Sequence, residues 1–213
     1  MAELEHDRVR DGAVAGAVAF VAGVLGTVLL AGPEDDTDLW EFTAMGTTDT
    51  VTYGEMGSQG ELAQPETWKV AGWVFHQAHF ASIDTQTDVS TDSAFGGMAN
   101  YDLAFAMEPS VAVRVLPVVL LVGAGYVLAD RASADEQTAA ALDGAHVLAG
   151  YAPLAVLSAF LFAYEDTHTD SSAEVTLSVQ PEVTSALLFT GILVPVVLGA
   201  VGGYANHVLS GPE

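Results

Sequence analysis

The sequence predicts an all-α membrane protein: a four-helix transmembrane bundle with an acidic extracellular insertion that holds a short interfacial helix and a few strands. Three observations predict it. Half of the residues are hydrophobic (51%), and they gather in four blocks long enough to span a membrane. The polar remainder is strongly acidic, with 28 Asp and Glu against 5 Lys and Arg, for a formal net charge of -23. Three of the four arginines fall just outside the ends of those blocks.

Residues 1–11 read as a cytoplasmic N-terminus. The first span is 12–32, GAVAGAVAFVAGVLGTVLLAG, with no charge; about 20 such residues cross a bilayer core. A cleaved leader has an apolar region of only about 7–15 residues, so this block reads as a retained helix. Residues 33–108 form the extracellular segment. Within it, 67–83 (TWKVAGWVFHQAHFASI) is too short to span but carries Trp and Lys, which suit a membrane interface. The alternative is a buried helix of a small outer domain.

The remaining spans are 109–129, 142–164 and 185–204. A cytoplasmic loop (130–141), an extracellular loop (165–184) and a cytoplasmic C-terminus (205–213) connect and close them. Pro117, Pro153 and Pro195 lie inside these spans and are expected to bend them. Thr47–Tyr53 and Glu174–Val179 alternate in the manner of strands and are candidates to pair. Arg8, Arg10 and Arg131 share one side of an even number of spans, which places both termini in the cytoplasm and the chain in the cell membrane.

Several function classes lose support. With no cysteine there is no disulfide, thiol nucleophile or thiolate metal site. So acidic a chain is no nucleic-acid binder. No dinucleotide fingerprint, phosphate loop, H-E-x-x-H or G-x-S-x-G occurs, and no charge sits at the centre of a span, where an ion pump would need one. The expectation is a protein without enzymatic activity or cofactor. Its partners are the lipid bilayer and either another membrane protein or a second copy of the chain.

Candidate residues fall into three groups. Gly12 and Gly16 form a GxxxG, and with Gly123, Gly125, Gly199, Gly202 and Gly203 they are expected to pack helices closely. His76 and His79 share a face of the interfacial helix and are metal candidates. Asp143, His146, Asn206 and His207 lie at the inner ends of the third and fourth spans. There they can meet near Asp11 and Arg131 as a ligand or proton site. The acidic group Glu165, Asp166, His168 and Asp170 reads as a solvated face.

A repeat is hinted at. PVVLLVGAGY (117–126) and PVVLGAVGGY (195–204) agree at six of ten positions, and Asp-Gly-Ala occurs at Asp11 and Asp143. Transporters are often built from such repeats.

GAVAGAVAFVAG in the first span and WKVAGWVFHQAHF in the outer segment resemble a group of haloarchaeal multi-pass membrane proteins of unknown function. These share a first span, an outer W-K-x-x-G-W-x-F segment and three further spans. The resemblance implies the same architecture and brings no catalytic residues. The near-absence of lysine reads the same way, since carboxylates hold water and cations where concentrated salt screens their repulsion. The function expected is a non-enzymatic scaffold or accessory subunit of a membrane assembly. The alternatives are a small-solute transporter or channel component, and a membrane-embedded enzyme using histidines.

Overall fold

A computed structural model of the chain describes residues 2–44, 47–58, 63–91, 102–133, 136–169 and 173–210. Among the described residues, four stretches of helix are long and apolar enough to cross a membrane: Asp7–Leu30, Val111–Ala132, Gln137–Leu161 and Val183–Ser210. They differ from the expected spans mainly at their charged ends. Helix α1 (Ala2–Leu30) begins ten residues before Gly12, running through the charged segment without a break.

Between the first two long helices lie strands β1 (Asp38–Ala44) and β2 (Thr47–Thr52), helices α2 (Tyr53–Ser58) and α3 (Thr67–Ala78), and strands β3 (Ile83–Thr91) and β4 (Asp102–Phe105). The second long helix is α4 (Val111–Ala132), and the third is α5 (Gln137–Ala145) followed by α6 (Leu148–Leu161). Strands β5 (Tyr164–Thr169) and β6 (Ala173–Pro181) precede the fourth, which combines α7 (Val183–Ser185), a π segment (Ala186–Leu193) and α8 (Val194–Ser210).

The strands form two antiparallel three-stranded sheets, in the orders β2-β1-β4 and β3-β6-β5. All-α is therefore too narrow a description. The two stretches expected to be strands, Thr47–Tyr53 and Glu174–Val179, do form, but they belong to different sheets. β2 pairs with β1, opening at Asp38↔Thr52, whereas β6 is the central strand of the other sheet, with Thr85 and Tyr164 both opposite Val179.

The third long helix is interrupted at His146–Val147, where Ala149 N–H reaches back only three residues to His146 O (3.0 Å). Glycines explain the position. A Cβ on Gly12 or Gly16 would collide with the carbonyl of His146 or Val147, and one on Gly150 would collide with that of Ala13. Two backbones thus lie in direct contact, which only a missing side chain permits.

The same device joins the other helices. Gly125 abuts Gly199, Gly202 abuts Val122 and Tyr126, and Gly203 abuts Ala140. Gly123 does not belong to this set, because a Cβ there meets nothing within 4 Å. It stands two residues from Gly125, about 200° around the helix, and so faces outward. The π segment ends at Leu193, two residues before Pro195. A proline has no N–H to give the preceding turn, and its ring crowds the carbonyl four residues back, so the turn widens.

Two cores result. At the sheet-capped end Leu39, Trp40, Val70, Trp73, Tyr164 and Leu177 pack together. Within the bundle Phe20, Phe75, Leu121, Val147 and Tyr151 do. Helix α3 feeds both, with Trp73 in the first and Phe75 in the second. From Val70 to Ala78 it is buried except at Gln77. A helix lying along an interface would keep one wet face; from Val70 to Ala78 this one has protein nearly all round it. The opposite end carries Arg8, Arg10, Asp11, Asp130 and Arg131, and we call it the charged end.

Candidate functional site

Among the described residues, and apart from Thr27, which bonds within its own helix, buried polar side chains collect in two places. The first surrounds the two histidines of α3. Gly72 lets α3 press on the Phe162 ring, and Trp73 Nε1 donates to Phe162 O at 2.8 Å. This fixes the helix so that His76 and His79, both fully buried, face α6 and the π segment.

His79 Nδ1 lies 2.8 Å from Phe75 O. A carbonyl only accepts, so Nδ1 carries the proton and Nε2 accepts from the Tyr151 hydroxyl at 2.7 Å. His76 can be resolved similarly. Ser158 Oγ donates to Ala155 O (2.8 Å) and so accepts from His76 Nε2 (2.9 Å). That leaves Nδ1 to accept from Thr190 Oγ1 at 3.1 Å. Both imidazoles are neutral in this pattern, and each has both nitrogens occupied.

The metal reading of His76 and His79 therefore meets an obstacle, since no ring lone pair is left for an ion. Among the described residues no group of three His, Asp or Glu side chains is placed to hold one. Asp170 of the acidic group lies outside the described residues. Along β5, Glu165 lies on one face of the strand and Asp166 and His168 on the other.

The second place is the charged end. Asp143 is 3% exposed and pairs with Arg8, with Nη1 2.9 Å from Oδ1. It shares a cleft of about 180 Å³ with Asp7, Arg8, Asp11, Leu128, Arg131 and Ala132. The expected approach of Asp143 to Asp11 and Arg131 is thus seen, but the other three candidates go elsewhere. Asn206 Nδ2 reaches Asp130 Oδ1 at 3.5 Å. His146 is held against Gly12, its Nδ1 buried with no hydrogen-bond partner. His207 is half-buried in the last turns of α8.

Sequence reasoning missed Arg8 as the partner of Asp143, and Tyr151, Ser158 and Thr190 as partners of the histidines. A signal existed for two of them. Tyr151 and Ser158 stand seven residues, or two turns, apart and so share a helix face in an otherwise apolar run.

No curated protein and no solved structure matches this chain. Residues 2–210 match the Family of unknown function (DUF7978), which is nearly the whole chain, and the protein belongs to that family.

Proposed function

We propose that the chain is an integral membrane protein of the cell membrane that serves as a non-enzymatic scaffold or accessory subunit of a membrane assembly. The membrane reading rests on what the helices turn outward. Only 28–39% of each apolar window is buried inside the protein. Val14, Val18, Leu25, Val119, Leu157 and Ile192 are among the large apolar residues left exposed. Apolar surface on that scale has lipid as its natural solvent.

Arg8, Arg10 and Arg131 at one end, against acidic strands at the other, support a cytoplasmic charged end and an external sheet cap. The acidic surface fits a high-salt setting of the haloarchaeal kind. Cysteine substitutions test the sidedness, as the chain has none of its own. In intact cells Thr50→Cys should react with a membrane-impermeant maleimide and Ser210→Cys should not. The reverse would invert the topology.

The accessory role is carried by closure. Backbone-to-backbone contact at Gly12, Gly16, Gly125 and Gly202 binds the long helices together, and the histidines spend their bonding capacity on the fold itself. The deciding measurement is the mass of the gently solubilised protein at high salt, with co-purifying chains identified. A stoichiometric second membrane protein is the expected result. A lone monomer or homodimer that conducts a measurable solute flux would establish the transporter reading, to which the open cleft at the charged end lends support.

A further inference from the structure

Asp143 carries a carboxylate that the fold leaves unfinished. It is 3% exposed, yet among the described residues neither oxygen has a hydrogen-bond partner. Arg8 lies 2.9 Å from Oδ1, close enough to pair in charge but not aligned to donate, and no described residue donates to Oδ2. Buried carboxylate oxygens are normally supplied with donors, because an unmet one forfeits its hydration for nothing in return. Asp143 also lines the cleft of about 180 Å³, so a donor lodged there lies beside the carboxylate and reaches its oxygens once the half-exposed Arg8 side chain shifts aside. That volume lies below the roughly 300–1,000 Å³ of drug-sized sites and suits a small solute.

The charges on the walls narrow the chemistry. Arg8 is committed to Asp143, and Asp7 and Asp11 add negative charge. Arg131 lines the same cleft, and its guanidinium has no ion pair or hydrogen bond among the described residues. An anion would meet three carboxylates. A metal ion would find no convergent set of ligands among the described residues. A simple organic cation would leave Arg131 unmatched.

We infer that this cleft, where α1, α4 and α5 meet, binds a small zwitterion, its ammonium group on Asp143 and its carboxylate on Arg131. The inference goes beyond the accessory role and does not depend on it. A solute site can belong to a subunit of an assembly as well as to a carrier.

The test is calorimetric titration of the full-length protein in lipid nanodiscs. The probes are glycine, β-alanine and 4-aminobutyrate, with ethylammonium chloride and sodium acetate as the two half-ligands. One amino acid of the series, the one whose length bridges the two groups, should bind at least about tenfold more tightly than either half-ligand, as loss of one charge-assisted hydrogen bond implies. Arg131→Gln should erase the preference over ethylammonium, and Asp143→Asn should abolish binding of the whole series. Arg131 is exposed, so its variant keeps the test decisive even if Asp143→Asn fails to fold. Ethylammonium binding as tightly as the amino acids, or a ranking unchanged by Arg131→Gln, would overturn the zwitterion. Absence of heat with every probe would leave water as the occupant and overturn the site.

Discussion

Two polar clusters share one helical bundle and are built in opposite ways. Around His76 and His79 every ring nitrogen has a partner between 2.7 and 3.1 Å away, drawn from α3 itself, α6 and the π segment. At the charged end the Asp143 oxygens and His146 Nδ1 are buried without a hydrogen-bond partner among the described residues. The first cluster is complete without any ligand and acts as a polar lock between helices. The second is incomplete. The pair teaches that residue type alone does not tell which polar group the fold satisfies: both histidines deep in the apolar bundle have their nitrogens met, and an ordinary aspartate at a helix end does not.

The largest effect should come from the spacing on which both clusters depend. Gly150→Leu drives a side chain into the Ala13 carbonyl and should cost at least about 3 kcal/mol, at the upper end of overpacking penalties. Gly123→Leu, pointing into open space, should leave the detergent-unfolding midpoint unchanged. Equal losses from the two would show that the backbone contacts do not set the spacing.

Next is Tyr151→Phe. It leaves the buried His79 Nε2 without a donor and should destabilise by about 1–3 kcal/mol, read from the same unfolding curve. Asp143→Asn at the other cluster should change stability by no more than about 1 kcal/mol in either direction. The charge it removes is already poorly solvated and its ion partner Arg8 is half-exposed. If the aspartate proves the costlier of the two, the contrast between the clusters collapses.

The smallest effect belongs to Glu182, which caps the fourth long helix by accepting from the Ser185 and Thr184 N–H groups. Those backbone bonds, Ser185 first, hold its carboxyl below the usual glutamate range. A lowered folded-state pKa stabilises above the unfolded value of about 4.3, and that contribution is lost as pH falls through the folded value. The native chain and Glu182→Gln should therefore differ in thermal midpoint at pH 7 and converge on acidification below pH 4. A gap that persisted in acid would assign the effect to shape and not to charge.

Much of the helical frame was legible because an apolar run of that length has few other fates. The chain ends of the helices were less so, since nothing in Asp7–Asp11 marks a helix as continuing through charge. Gly123 was misjudged from composition, although the helical period alone sets it opposite Gly125. The burial of α3 stood only as one of two readings, because its partners are far apart in sequence: Trp73 needs Phe162, and His76 needs Ser158 and Thr190. The strands were half visible. Alternation marks β2 and β6, but partner choice is settled by register against strands such as β3, which is rich in Thr and Asp and reads as loop. Of the charged-end set, Asp143 could be singled out by its depth, whereas the partnership with Arg8 required the fold.

The long reach of the lock has a consequence for how the protein is made. His76 finds Ser158 82 residues later in the chain and Thr190 114 residues later. At a synthesis rate of roughly 5–20 residues per second, α3 leaves the ribosome on the order of ten seconds before its last partner exists. During that interval a segment holding Trp68, Trp73 and Phe75 has no home. The fourth long helix is therefore the event that commits the earlier half of the chain, so any truncation before Thr190 should strand α3 as a target for quality control.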